Sequence, residues 1–309
     1  AAVADRERRM DGPAMMYRAL AAAAFEAHPY RNPPNGWPGD VSGLRRADAK
    51  AFADRYYVPG NVSIAIVGDV NPAEVRKMAG QYFGPWQAKP VPGPVRTVEP
   101  TQAGPKTVAL EVRPGVGRPN PPAMSLIGYK RPSQYDRDDA VLDVLQVVLG
   151  QGKTGLLNNE LVTEKRLAQA LQVRSAFPGG RYPSLFLFGL IAVPGHTTEE
   201  MQKALEDSLN RLKTQRIALP VIDRAKALGR VMLVNRLTTN ASIANLLSSS
   251  QANYGDWRKI FALVEDYKKV TQDDLQRVMV QYFVPSGRTT VYTLPPGPLE
   301  TMPAGGKVQ

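Results

Sequence analysis

The chain has 309 residues, of which 43% are hydrophobic and 22% charged. That is an ordinary globular balance and enough length for about two domains with a core each. Cysteine is absent, which excludes disulfides and thiolate metal sites and suits an oxidising or a reducing compartment equally. The net charge of +11 comes from scattered basic residues. The densest cluster, Arg6, Arg8 and Arg9, has no aromatic platform interleaved with it, so the pattern argues against nucleic acid as the partner.

In chain order, the run from Pro13 to Ala27 predicts a helix, with Pro13 near its first turn. His28 to Gly36 carries three prolines and reads as loop. A helix over 47–57 is followed by a strand at 62–68. A further helix runs from Pro72 to Tyr82, capped by Asn71. Pro90 to Pro105 reads as a proline-rich linker.

Beyond the linker, 107–113 and 122–130 predict strands and 136–149 a helix. A glycine-rich turn and a helix over 154–165 lead to strands near 169–176 and 184–193. Leu185–Val193 is the longest apolar run and about half the length of a membrane span, so it reads as a buried strand. Helices begin at Thr197 and near Pro220, and the polar stretch Asn240–Asn253 is either more helix or an interruption. Strands followed by grouped helices predict an α+β class, a mostly antiparallel sheet with helices packed on one face.

One segment occurs twice. Residues 47–67 (ADAKAFADRYYVPGNVSIAIV) and 273–293 (DDLQRVMVQYFVPSGRTTVYT) align with Pro59 on Pro285, an offset of 226. Asp48 then falls on Asp274, Tyr56 on Tyr282, Tyr57 on Phe283 and Val58 on Val284. Each copy is an amphipathic helix, an aromatic pair, a Val-Pro turn and a β-branched strand. The second copy has 178 residues between Thr107 and its proline and the first has 58 residues before its own, so about 120 residues of a first repeat are expected to be missing. The expected organisation is therefore the end of a first repeat at 1–88, a linker at 89–106, a second repeat at 107–296 and a tail at 297–309.

Candidate sites are sparse. His28 and His196 are the only histidines; they lie far apart, and neither has the near neighbour that a zinc helix requires. His28, before a proline, reads as a loop-locking residue bonded to a backbone group, and His196 as solvated in a strand-to-helix turn. Gly150-Gln151-Gly152-Lys153-Thr154-Gly155 matches GxGxxG by letter, but a helix precedes it where the dinucleotide fingerprint needs a strand. It reads as a flexible turn, or as a loop lining a peptide channel through Gly150, Gly152 and Gly155. Glu7, among arginines, is on its own an exposed helical carboxylate. No nucleophile triad can be assembled, so no catalytic residue is expected in this segment.

Several stretches together resemble the insulinase/pitrilysin-like zinc metallopeptidases, the small bacterial and mitochondrial-processing type above all. They are Ala24-Phe25-Glu26-Ala27-His28-Pro29-Tyr30, Tyr56-Tyr57-Val58-Pro59-Gly60-Asn61 and Val67-Gly68-Asp69-Val70. In the second repeat they are Val148-Leu149-Gly150-Gln151-Gly152 and Leu161-Val162-Thr163-Glu164-Lys165-Arg166-Leu167-Ala168. The resemblance covers about residues 3–295 and implies two homologous α+β domains around a peptide chamber.

It implies a Zn²⁺ ion held by an inverted HxxEH helix upstream of residue 1 and by a distant glutamate, whose matching position is Glu7. The metal would activate a water for peptide cleavage. An arginine and a tyrosine that clamp substrate in many members correspond here to Val162 and Gln169. A ligand-like Glu7 without the clamp implies the zinc-bearing subunit of a heterodimer with a clamp-bearing homologue, its extended peptide substrate added to a sheet edge. The alternative is a non-catalytic peptide-binding or scaffold homologue. Either is expected in a bacterial periplasm or cytoplasm, without a membrane span.

Overall fold

The computed structural model describes residues 13–111 and 122–294. At its centre is a five-stranded sheet in the order β1–β5–β2–β4–β3. The strands are β1 (Lys106–Glu111), β2 (Met124–Arg131), β3 (Ala168–Phe177), β4 (Ser184–Ala192) and β5 (Arg288–Leu294). All ladders are antiparallel except β1–β5, which is parallel with Val108 opposite Val291. This is the α+β class that the sequence predicts.

The helices in chain order are α1 (Pro13–Ala24), α2 (Pro38–Gly43), α3 (Arg46–Tyr56), α4 (Pro72–Phe83), α5 (Asp139–Gly150) and α6 (Leu156–Asn158, continuing as a π-helical turn over Asn159–Glu164). They continue with α7 (Thr198–Thr214), α8 (Leu219–Asn235), α9 (Asn240–Tyr254), α10 (Lys259–Lys269) and α11 (Gln272–Tyr282).

The period-two alternation of strands sorts the sheet residues onto two faces. Ile127, Tyr129, Phe186, Phe188 and Leu190 join the larger core with residues of α5, α7 and α11. Phe283, at the end of α11, packs its ring 5.0 Å from Phe186 and 5.1 Å from Tyr129. Leu126, Leu185, Leu187 and Val291 point the other way and meet Met16, Leu20, Ala24 and Phe25. The first helix therefore packs on the sheet of the following unit as well as on the turn that follows it at Pro29–Arg31. α8 and α10 form a second layer over α5, and α9 packs against α10.

The 226-residue offset carries through to the backbone. α3 spans 46–56 and α11 spans 272–282, and 3₁₀ turns follow at Pro59–Asn61 and Pro285–Gly287. The Asp48 carboxylate accepts from Arg45 N–H at 2.8 Å, and Asp274 accepts from Thr271 N–H at 3.0 Å, so both helices start with an aspartate bonded back to the N-cap. Only at α11 is the cap reciprocal, Thr271 Oγ1 accepting from Asp274 N–H at 3.1 Å. After the turns the copies diverge. Residues 288–294 enter the sheet as β5, whereas 62–68 form no ladder, because no strand among the described residues lies beside them. The strand expected there is absent for want of a partner. Leu44, Phe52, Ile64, Ile66, Met78 and Tyr82 in this first unit are each more than half exposed.

Three other expectations change. The helix from Pro13 stops at Ala24 instead of Ala27, the helix expected over 154–165 becomes a 3₁₀ turn, one α turn and the π turn, and Asn240–Tyr254 is helical throughout. The proline-rich linker is pinned at several points. Val95 N–H donates to Tyr182 Oη at 2.9 Å, and the Gln102 side-chain amide donates to the Arg288 carbonyl at 2.7 Å. No helix among the described residues is long and apolar enough to cross a membrane.

Candidate functional site

Glu7 lies outside the described residues. Gly150, Gly152 and Gly155 lie within them and form the junction between α5 and α6, each fixed by a different constraint. A Cβ on Gly150 would stand 2.4 Å from Val173 Cγ2 on β3. Gly152 takes φ +56°, in the left-handed region, with open space around it. A Cβ on Gly155 would meet the backbone of Leu149–Gln151 at 2.7–2.9 Å. Asn158 Nδ2 donates to the Gly152 carbonyl at 2.6 Å and closes the turn. The turn that reads as flexible is tightly packed on the Gly150 and Gly155 sides and open only around Gly152.

The chain then makes its π turn. Glu160 is buried there and accepts from Lys165 Nζ at 2.7 Å and from Arg211 Nη2 at 2.6 Å. Burial alone would raise its pKa, but Arg211 and Lys165 outweigh burial and hold it down at about 2. Single π turns recur at functional sites, where they re-aim the residues that follow. Val162 on this turn packs against the main core. Gln169 sits where the β3–β4 register shifts, between Ala168 and Ala170, and is exposed. Neither position carries a charge, so the two do not form a clamp.

β3 stands at the edge of the sheet, paired on one side with β4 and on the other with no strand among the described residues. Gln169, Ala170, Gln172 and Arg174 are exposed along it. Such an edge offers backbone N–H and C=O groups to an extended peptide. The glycine turn, π turn and bulge all lie at the start of this strand.

His28 behaves as the sequence suggests and has additional support. Its Nδ1 accepts from Tyr30 N–H at 3.2 Å, which leaves the proton on Nε2 among the rings of Phe25, Tyr30 and Tyr182. Burial lowers its pKa, so the ring is neutral. Sequence reasoning missed the residue beneath it. The Glu99 carboxylate accepts from the N–H groups of Glu26, Ala27 and His28 at 2.7, 3.0 and 2.9 Å. Burial opposes its ionisation, but these donors and the charge of Lys130 prevail and keep its pKa below the usual carboxylate range. A lone glutamate in a proline-rich stretch carries no local signal for that role. His196 is paired rather than merely solvated, its Nδ1 2.9 Å from Glu200 Oε2.

No group of three or more His, Cys, Asp or Glu residues that could hold a metal ion occurs among the described residues. A zinc ligand set does not fit these residues alone.

Comparison with known proteins agrees with this architecture. The family model described as Peptidase M16 inactive domain matches residues 43–228. The zinc protease PqqE of Helicobacter pylori is 31% identical over 288 residues, covering 91% of this chain and 62% of that protein. An uncharacterized zinc protease of Mycobacterium leprae, ML0855, is 24% identical over 280 residues, covering 84% of this chain and 57% of that protein. The crystal structure of a protease from Helicobacter pylori superposes with a TM-score of 0.85 at 27% identity, over 95% of this chain and 70% of that one. The chain thus spans about three-fifths of the length of these curated relatives. With the family model matching well over half of its residues, the chain belongs to the M16 peptidases, the insulinase/pitrilysin-like family, and carries their inactive domain.

Proposed function

We propose that this chain is the C-terminal portion of a zinc metalloendopeptidase that cleaves extended peptides with a metal-activated water, and that its part in the reaction is to bind and position substrate. The observation that carries the reading is the relationship over 91% of the chain to a protein named as a zinc protease. In this reading Glu7 supplies one zinc ligand, and the remaining ligands and the general base come from sequence ahead of residue 1. The exposed apolar side chains of the first unit, Phe52, Ile64 and Ile66 among them, support an upstream half-domain that covers them. The common backbone of α3 and α11 supports two units of one origin.

The chain's own contribution is geometric. The β3 edge, opened by the bulge at Gln169, receives the peptide backbone, while Gly150, Gly152 and Gly155 keep the neighbouring turn slim. With Val162 and Gln169 where charged and aromatic clamp residues would stand, a homologous subunit supplies the clamp and the working unit is a heterodimer. We place it in a bacterial periplasm or cytoplasm.

The test is zinc content and peptidase activity of the full-length parent, with and without its homologous partner. One zinc per chain, lowered by Glu7→Gln with the fold retained, is the expected result. Unchanged zinc in that variant would remove Glu7 from the site. A parent that binds no zinc and cleaves nothing beside its partner would leave a scaffold or peptide-binding subunit.

A further inference from the structure

Away from the β3 edge, the second helical layer forms a half-open pocket of about 380 Å³ between α5, α8, α9 and α10. Its wall is apolar over one part, with Val147, Met232, Leu246 and Ile260, and polar over another, with Asp143 and Tyr254. An apolar pocket with a few convergent polar groups is the usual form of a small-molecule site.

The polar part has a defined charge. Asp143 is half-buried, accepts from Tyr267 Oη–H at 2.9 Å, and has no ion-pair partner among the described residues. The nearby Arg131 guanidinium, fully buried, is engaged with Asp139 at 2.5 Å. Arg236, which also lines the cavity, is exposed and therefore screened by solvent. Burial and the negative charge of Asp143 both raise the pKa of Asp139 and those of the Tyr254 and Tyr267 hydroxyls. The pocket thus presents one uncompensated carboxylate beside an apolar wall, a complement to a cation with an apolar body.

We propose that this cavity binds a primary amine carried on an apolar chain or ring, its ammonium paired with Asp143 and its body against Val147, Met232, Leu246 and Ile260. The site is separate from the proposed peptide edge and does not depend on the zinc reading.

The probe series is n-hexylammonium, 1-hexanol and hexanoate, titrated against the full chain labelled at its methionine methyl groups. The Met232 resonance, assigned through Met232→Leu, reports the cavity wall. Hexylammonium is expected to shift that signal saturably and to bind at least tenfold tighter than hexanol, with hexanoate weakest. Asp143→Asn, which keeps an acceptor for Tyr267, should bring hexylammonium down to the hexanol level and leave hexanol unchanged. If that variant does not fold, the wild-type ranking and its loss in high salt decide. Equal binding of amine and alcohol, an amine preference that survives Asp143→Asn, or a Met232 signal that none of the probes moves would each overturn the proposal.

Discussion

Replacing Gly150 by alanine tests whether the glycine turn is held by packing. A methyl there would stand 2.4 Å from Val173 Cγ2 and 2.7 Å from Val173 Cβ, well inside van der Waals contact. Val173 is 9% exposed and lies on β3 facing α5, so it has little room to retreat. Overpacking of this kind costs about 1–3 kcal/mol. Helix propensity would offset part of it, since alanine is favoured over glycine in a helix by about 1 kcal/mol. The net expectation is about 1–2 kcal/mol of destabilisation, read as a shift in the urea midpoint at constant slope.

The cause is isolated by pairing Gly150→Ala with Val173→Ala, which removes the atoms in conflict. The double variant should be more stable than the sum of the two single changes predicts, by about 1 kcal/mol or more. A Gly150→Ala variant as stable as the wild type, or strict additivity with Val173→Ala, would refute the packing argument. Gly150 would then be free to serve some other purpose in the loop.

Three further outcomes follow from the charges. Glu160→Gln should cost about 1–2 kcal/mol at pH 7, since it removes the negative charge between Arg211 and Lys165 and one of the two acceptor oxygens they share. Because the folded pKa of Glu160 lies below its unfolded value, its contribution is present above about pH 4.5 and is lost as the pH falls toward about 2. Acid titrations of the two proteins should converge there, and parallel curves would contradict this. Glu99→Gln should cost about 2–3 kcal/mol, because one carboxylate serves three backbone donors. It should also raise proteolytic cutting within 89–106, and unchanged cutting would count against the anchoring role. His28 has a lowered folded pKa, so its stabilisation is complete above the unfolded value near 6.5 and falls as the pH drops through the folded one. His28→Asn should flatten the stability profile below about pH 6.5, measured by urea unfolding; an unaltered slope would remove His28 as its source.

Legibility in the sequence followed the range of the interactions. Elements set by local periodicity and caps could be read directly: β4 from its apolar run, α7 from its start at Thr197, and α11 from the amphipathic pattern of the repeated segment. The turn after α5 was legible as glycine-rich, but the reason for glycine at 150 is a valine 23 residues away on another strand. The π turn at 159–164 was not legible, and the Arg211 that holds its Glu160 lies 51 residues away. For the same reason Glu99 passed as an ordinary linker residue.

The segment 62–68 reverses this pattern and bears most directly on function. Its alternation of Val62, Ile64 and Ile66 is a sound strand signal, and the same motif 226 residues later does become β5. What differs is the neighbour. β5 lies between β1 and β2, which satisfy its backbone on both edges, while 62–68 has no strand beside it among the described residues. A strand is a property of a pair, so a sequence can specify one side of a ladder without the ladder existing. The three exposed β-branched residues are therefore a specific prediction about a partner. In the proposed two-unit reading, a half-domain of the same origin as residues 107–294 would supply an extended edge beside 62–68, and a longer chain in which these three side chains stay exposed would count against it.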